Sequence, residues 1–306
     1  MTDKDITTVL ERAFERHAAD VEGLCYRMTG SRADAEELTQ ETFVRLRESP
    51  PEDLKSSLRA WLMRVASNLC RDHLTKRNRI EYTGPWLPAP HGELNESGSL
   101  ANPEIQISLE ESASYAFLVA LEELKPDQRS VLLLRDVYGL SVRETANTLN
   151  LSESNTRVIH HRARKRLSAV EPEPGERDGL DDDEKRQLID RLTTALFERN
   201  EEELRALFAE DVRVLSDGGE YAAATRPIEG RSDVTAFFQG LQQNAPTPDE
   251  VAVRRLNGCL ALVFNYDDPP PRQAPRVVLL ADSLDGSTID HLYFVMASDK
   301  VDHLES

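Results

Sequence analysis

The run SVRETANTLNLSESNTRVIHHRARKRL, Ser141 to Leu167, carries the pattern from which the rest of the chain can be read. Ser141 and Glu144 stand three apart, the spacing of a reciprocal capping box, and Val142, Thr145, Ala146 and Leu149 follow at the intervals of one apolar helix face. Asn150 and Ser152 then allow a short turn and a second start. This is the grammar of a helix-turn-helix. The second helix opens with the short polar residues Ser154, Asn155 and Thr156, then Arg157, and continues through His160, His161, Arg162, Arg164, Lys165 and Arg166. Short polar groups at a helix N-terminus reach base edges and later basic residues reach phosphates, with Arg143 on the preceding helix as a further cation. A helical hairpin with no nucleic-acid role has the same local pattern.

A second basic helix is predicted in SLRAWLMRVASNLCRDHLTKRNR, Ser57 to Arg79, which holds six Arg or Lys and a single acid. Leu58, Trp61, Leu62, Val65, Leu69 and His73 share one face by helical spacing, which places Trp61 in the core and not on an exposed stacking surface. Arg64, Asn68 and Arg71 share an adjacent side, extended by Lys76, Arg77 and Arg79. Arginine neutralises phosphate and asparagine can bond a base edge bidentately, so this row suits nucleic acid; an ordinary solvated basic face has the same composition.

These strips belong to a chain of 306 residues with formal net charge −18. Residues 1–170 hold 23 basic and 26 acidic side chains and the remainder 14 and 29, so the acidity lies mainly in the C-terminal part. Such a balance argues against indiscriminate binding to free DNA. Cys25, Cys70 and Cys259 form no CxxC pair, which suggests neither a disulfide framework nor a metal site; no cofactor is implied, and a reducing, cytoplasmic setting is expected. No apolar run approaches the length of a membrane span.

Helical spacing up to about Arg79 predicts an all-α first module, with a start at Ser31 and breaks at Gly30 and Pro50-Pro51. From Glu81 to Ser108 there are four prolines, three glycines, four acids and no Lys or Arg, the composition of an acidic linker. Residues 109–170 form a second helical module, and EPEPGERDGLDDDE follows as a hinge. Two helices are then predicted over about 183–209, a strand at DVRVLS, a helix in GRSDVTAFFQGL, and antiparallel strands in VAVRRLNG, CLALVFNY, RVVLLADS and TIDHLYFVMA. That domain is α+β.

The modules in this order resemble an extracytoplasmic-function (ECF) sigma factor of the sigma-70 family. The likeness rests on SRADAEELTQETFVRLRE and AWLMRVASNLCRDHL for region 2, and on LEELKPDQRSVLLLRDVYGLSVRETANTLNLSESNTRVIHHRARKRL for region 4. YTGPWLPAP, DGGEYAAATRPIEGRSDV and LNGCLALV are similar to the SigJ-like subgroup, which carries a SnoaL-like domain after region 4. The resemblance implies two helical sigma domains and an α+β cone: region 2 over 1–80, a linker over 81–108, region 4 over 109–170, a hinge over 171–182 and a regulatory SnoaL-like domain over 183–306. It implies core RNA polymerase and promoter DNA as partners. Asp34, Glu37, Leu38, Gln40, Glu41, Phe43 and Leu46 would meet the polymerase clamp, the Arg64, Asn68, Arg71 and Lys76 group the minus 10 element, and the helix after Ser152 the minus 35 element. LRESPPEDLKSS would be the base-capturing loop.

The subgroup's DGGG motif and NPDKL-like tail are expected to touch the sigma domains. Here they read Asp217-Gly218-Gly219-Glu220 and Ala297-Ser298-Asp299-Lys300-Val301, with Asp217, Gly218, Gly219, Asp299 and Lys300 as the contact residues. Some SnoaL-like relatives are enzymes using an Asp or His inside the cone, for which Asp217, Asp282, Asp290 and His291 are the candidates. Their places at turns and strand ends favour structural roles, and no enzyme activity is expected. The alternatives are a SnoaL-like enzyme, or a ligand-sensing regulator, with an N-terminal DNA-binding part.

Overall fold

The computed structural model describes residues 3–51, 58–77, 84–92, 112, 114–169, 182–284 and 286–304. The hinge over 171–181, most of the linker beyond Gly92, residues 52–57 of the expected base-capturing loop, and Arg79 lie outside these residues. The chain gathers into two compact units, one from Met1–Glu81 with Leu94–Pro174, the other from Tyr82–Glu93 with Gly175–Ser306.

In the first unit α1 (Asp3–Thr29) stops at Gly30, whose φ of 64° is left-handed backbone that a glycine adopts without strain. Ser31 then caps α2 (Arg32–Glu48) by accepting from the Asp34 amide at 3.2 Å. α3 (Leu58–Arg77) completes the N-terminal part. The later helices are α4 (Tyr115–Leu121), α5 (Pro126–Leu132), α6 (Val142–Leu149) and α7 (Glu153–Leu167). A π-helical turn, Leu133–Val137, extends α5, with the Tyr138 amide reaching back to the Leu133 carbonyl. The two helical modules expected as separate domains pack around one core, in which Leu24, Leu46, Leu62 and Cys70 join Leu121, Leu132 and Ala163.

Two arginines sit inside that core. Arg27 Nε donates to Ser112 Oγ at 2.8 Å, and Arg129 Nη1 donates to the Met28 carbonyl at 2.5 Å and to Glu122 at 2.7 Å. Arg77 donates to the Thr29 carbonyl and to the other oxygen of Glu122. One carboxylate thus joins two cations across α3, α4 and α5, and burial of these charges is tolerated because each is met by a partner. Cys25 and Cys70 are both buried free thiols; burial, with the neighbouring Cys25, holds the Cys70 thiol well above its usual range, so it is inert.

The second unit begins with α8 (Asp182–Phe197) and α9 (Glu201–Leu207) and continues through β1 (Phe208–Asp217), β2 (Ile228–Glu229) and α10 (Arg231–Asn244). Strands β3 (Glu250–Leu256), β4 (Cys259–Asn265), β5 (Arg276–Asp282) and β6 (Ile289–Val295) follow, then the short α11 (Ser298–Val301). The sheet order is β2-β1-β6-β5-β4-β3, antiparallel except where β1 pairs β6 in parallel. The four strands expected at the C-terminal end are all present, and β1 is longer than DVRVLS. Val212, Val214, Leu262, Leu279 and Phe294 pack with Leu192, Leu204 and Phe238 of the helices into a second core.

Residues 84–92, expected as linker, are part of this second unit. The Leu87 amide donates to Asp217 Oδ2 at 2.7 Å, and Lys300 Nζ donates to the Leu87 carbonyl at 2.8 Å and to the same Asp217 oxygen at 2.5 Å. His91 and Asn257 exchange two hydrogen bonds, and Lys300 Nζ lies 3.9 Å from the Trp86 ring centre. Leu87 and Ala89 are buried. The stretch is therefore a strap, held because proline-restricted backbone costs little entropy to order and its polar groups find partners in the sheet unit.

Partial burial pushes the Asp299 carboxyl above its usual range, with Asp217 and Glu220 adding to the effect and Lys300 opposing it. A carboxyl raised in the folded state binds protons more tightly there, so its ionisation costs stability once the pH passes the ordinary carboxylate value. Asp299→Asn is expected to raise the melting temperature of this unit slightly at pH 7 and to have no effect at pH 3, as thermal scans at the two pH values would show.

Candidate nucleic-acid interface

The turn between α6 and α7 has the geometry that its residues dictate. Ser141 Oγ accepts from the Glu144 amide and Glu144 returns the bond to the Ser141 amide, while Asn150 takes φ 54° and Ser152 caps α7 through the Asn155 amide. Thr145, Ala146 and Leu149 face inward, as does Ala163 of α7. The outer side of α7 exposes Ser154, Asn155, Arg157, His161, Arg162 and Lys165, with Arg143 exposed on α6.

Three expected contact residues of this motif are committed elsewhere. Thr156 is fully buried, its hydroxyl donating to the Ser152 carbonyl. His160 Nε2 lies 2.8 Å from Oδ1 of the buried Asp136, and Arg164 is 3.8 Å from the other oxygen. Thr156 stands seven residues before Ala163, on the same inward face, so helical phase could have separated it from its polar neighbours. His160 anchors the recognition helix on the turn after α5, while Arg164, one turn on, leans toward the same carboxylate with its side chain still 41% exposed.

On α3, Arg64, Asn68 and Lys76 are exposed and Arg71 is half-buried, so the row read from the sequence exists. Arg71 bonds Asp127 at the start of α5, with Nη2 at 2.5 Å and Nε at 2.7 Å, and Asn68 Oδ1 accepts weakly from Arg71 at 3.4 Å. Arg77 leaves the row to join the partly buried Glu122 network. Trp61 is half-buried against the core, as its phase predicts. Asp127 escaped notice in the sequence because the Pro-Asp start of a helix accounts for it locally.

The expected polymerase-docking helix divides in the same way. Leu38 and Leu46 are buried in the core and are unavailable to a partner, and Phe43 packs edge-on against Phe14 with ring centres 4.9 Å apart. Asp34 lies 3.2 Å from His73, and Glu41 pairs with Arg45 along the helix. Glu37 and Gln40 are exposed, with Val44 beside them at 36%.

In the second unit Asp217 and Lys300 come together, side chains 0% and 4% exposed, and grip Leu87 of the strap. Gly218 and Gly219 permit the turn beside them. A Cβ on Gly219 would stand 2.7 Å from that of Ala297, and one on Gly218 would stand 2.6 Å from that of Ala223. Asp299 is exposed. Asp282 and His291 pair in register on the sheet, and Asp290 accepts from the Leu284 amide at a turn. Among the described residues no cluster of His, Cys, Asp and Glu could hold a metal ion, and no helix is long and apolar enough to cross a membrane.

The model of Sigma-70 region 2 matches residues 13–80, and that of Sigma-70, region 4 matches residues 114–167. The ECF RNA polymerase sigma factor SigJ of Mycobacterium tuberculosis is 33% identical over 233 residues, covering 75% of this chain and 72% of its own. The chain belongs to the ECF sigma factors. Sigma factors bind core RNA polymerase and promoter DNA, and this one is an alternative sigma factor with a fused C-terminal domain. The sigma factor SigG of the same species is 37% identical over 202 residues, spanning 60% of this sigma factor and 55% of SigG. The crystal structure of M. tuberculosis SigJ aligns with a TM-score of 0.71 at 26% identity over 94% of this sigma factor and 96% of that chain. The helical sigma regions 2 and 4, followed by an α+β unit, are thus those that the sequence predicts.

Proposed function

We propose that the exposed rows Arg64-Asn68-Arg71-Lys76 of α3 and Asn155-Arg157-Arg162-Lys165 of α7 contact the minus 10 and minus 35 elements, that Glu37 and Gln40 on α2 meet polymerase, and that the C-terminal unit regulates these contacts. The observation that carries this reading is the Arg71–Asp127 pair. A residue of the minus 10 row is bonded to the region 4 module, so the two DNA modules are held in a closed arrangement that promoter binding has to open. The C-terminal unit acts as a regulator without chemistry of its own. In support, Asp217 holds the strap and Asp290 holds a turn, while Asp282 and His291 lie in register with each other across β5 and β6.

Transcription from promoters selected with the purified holoenzyme tests the reading. It is expected to give a two-element consensus; selection of no sequence would sink it. In the same assay, removing Arg162 or Lys165 is expected to weaken all sequences alike and to lower the salt slope of binding by about one. Arg157→Ala is expected to change the preferred base within the minus 35 element; an unchanged preference would show that α7 is not the reader.

A further inference from the structure

The face of the cone sheet that bears Val212 and Val214 encloses a cavity of about 410 Å³ between the strands and α8 and α10. That volume lies within the ~300–1,000 Å³ typical of small-molecule sites. Phe237, Leu241, Phe264, Leu279, Phe294 and Met296 are among the apolar residues of its wall. Among the lining residues there is no carboxylate, histidine, lysine, arginine or cysteine. Gln242 is spent on the Leu196 carbonyl at 2.9 Å, and burial pushes the Tyr266 phenol up, keeping it neutral. A charged ligand entering here would lose its hydration with no opposite charge to meet it, and the wall holds no carboxylate or imidazole to activate the Ser216 hydroxyl.

The cavity shares its wall with the strap site. Ser216 lines the cavity and the next residue, Asp217, holds Leu87, because successive strand residues point to opposite faces. Their parallel partners on β6 are Phe294, which lines the cavity, and Val295. The Met296 amide donates to the Asp217 carbonyl, and the chain then runs directly into α11 and Lys300. Ala222 and Ala223 line the cavity, while Tyr221 before them bonds Ser298. The same two segments thus face the cavity on one side and grip the strap on the other.

We propose that this cavity binds an uncharged, largely apolar small molecule, and that its occupancy favours the docked strap. A molecule filling the cavity packs against the inner side of Ser216 and Met296 and fixes the segments that present Asp217 and Lys300. By reciprocity, a docked strap tightens ligand binding. The inference deepens the regulatory reading of the C-terminal unit, and its test is made on the chain alone, without polymerase or promoter, so it stands or falls separately.

The test is a fluorescence titration of the full chain with N-phenyl-1-naphthylamine, an uncharged probe that brightens in apolar surroundings. One saturable site is expected, displaced by decanol and not by decanoate at neutral pH. Leu279→Phe at the floor and Leu241→Glu at the half-exposed rim are each expected to weaken the probe by at least about tenfold, with circular dichroism confirming the fold; the rim variant serves if the floor variant does not fold. Asp217→Asn combined with Lys300→Met, which removes the Lys300 bond to the Leu87 carbonyl and so loosens the strap without leaving a lone charge, is expected to weaken the probe by about fivefold or more, the lower end of typical coupling. No saturable binding, or binding indifferent to Leu241→Glu, overturns the site. Equal competition by decanoate overturns the ligand class, and unchanged affinity in the double variant overturns the coupling.

Discussion

Asn68→Ala combined with Arg71→Ala is expected to reduce promoter opening by about thirtyfold or more while leaving affinity for core polymerase unchanged. Each base contact is worth about 1–3 kcal/mol, so two lost together cost at least about 2 kcal/mol, roughly a factor of thirty in opening. Neither residue lies on α2, so polymerase capture has no reason to change. Open-complex yield, measured by permanganate reactivity of the minus 10 thymines, decides the matter; wild-type yield would remove α3 from the promoter. The Arg71–Asp127 pair adds a prediction of opposite sign. Asp127 is exposed, and a pair of this kind holds the closed arrangement by no more than about 1 kcal/mol. Asp127→Asn frees Arg71 and is expected to increase opening by up to about fivefold, whereas a pair of merely structural value would give no increase.

Lys300→Met is expected to destabilise the C-terminal unit by about 3–5 kcal/mol, because it leaves the Asp217 carboxylate buried without its cation. Adding Asp217→Asn is expected to recover most of that loss, since a neutral amide still accepts from the Leu87 amide. The non-additivity is the signature of a desolvated pair and can be read from urea denaturation of the single and double variants. Equal losses in single and double variants would mean that packing around Trp86 and Leu87, and not the ion pair, holds the strap. The same variants report on regulation. Release of the strap, like cutting the chain after residue 175, is expected to change transcription per bound sigma subunit, and an unchanged rate in both would leave the strap with a structural role alone.

The helix-turn-helix was legible because its signals are local: the Ser141–Glu144 box, the left-handed Asn150 and the Ser152 cap all act within four residues of themselves. The strands of the cone were legible from alternation and turn residues. What sequence reading misplaced depended on distant partners. Leu87 lies 130 positions from Asp217 and 213 from Lys300, so a proline-rich stretch that composition marks as linker becomes part of a folded unit only through residues read elsewhere. Arg77, counted with the DNA-facing cations, is drawn inward by Glu122, a residue whose own surroundings give no hint of burial. Leu38, Leu46 and Thr156 differ in kind: their helical phase already points inward, and only the motif sets them at a contact.

The strap also fixes an order of events during synthesis. Its sequence leaves the ribosome early, but its clamp is made late, since Asp217 pairs in the sheet with Val295 and Lys300 lies in α11, the last helix among the described residues. At about 5–20 residues per second, the interval between completion of the helical unit at about residue 169 and emergence of Lys300 lasts on the order of 10 s. On the regulatory reading proposed above, during that interval the nascent chain carries both helical modules without the unit that governs them. Each newly made copy therefore passes through a brief unrestrained stage, and how often polymerase captures it there depends on translation speed across residues 170–300.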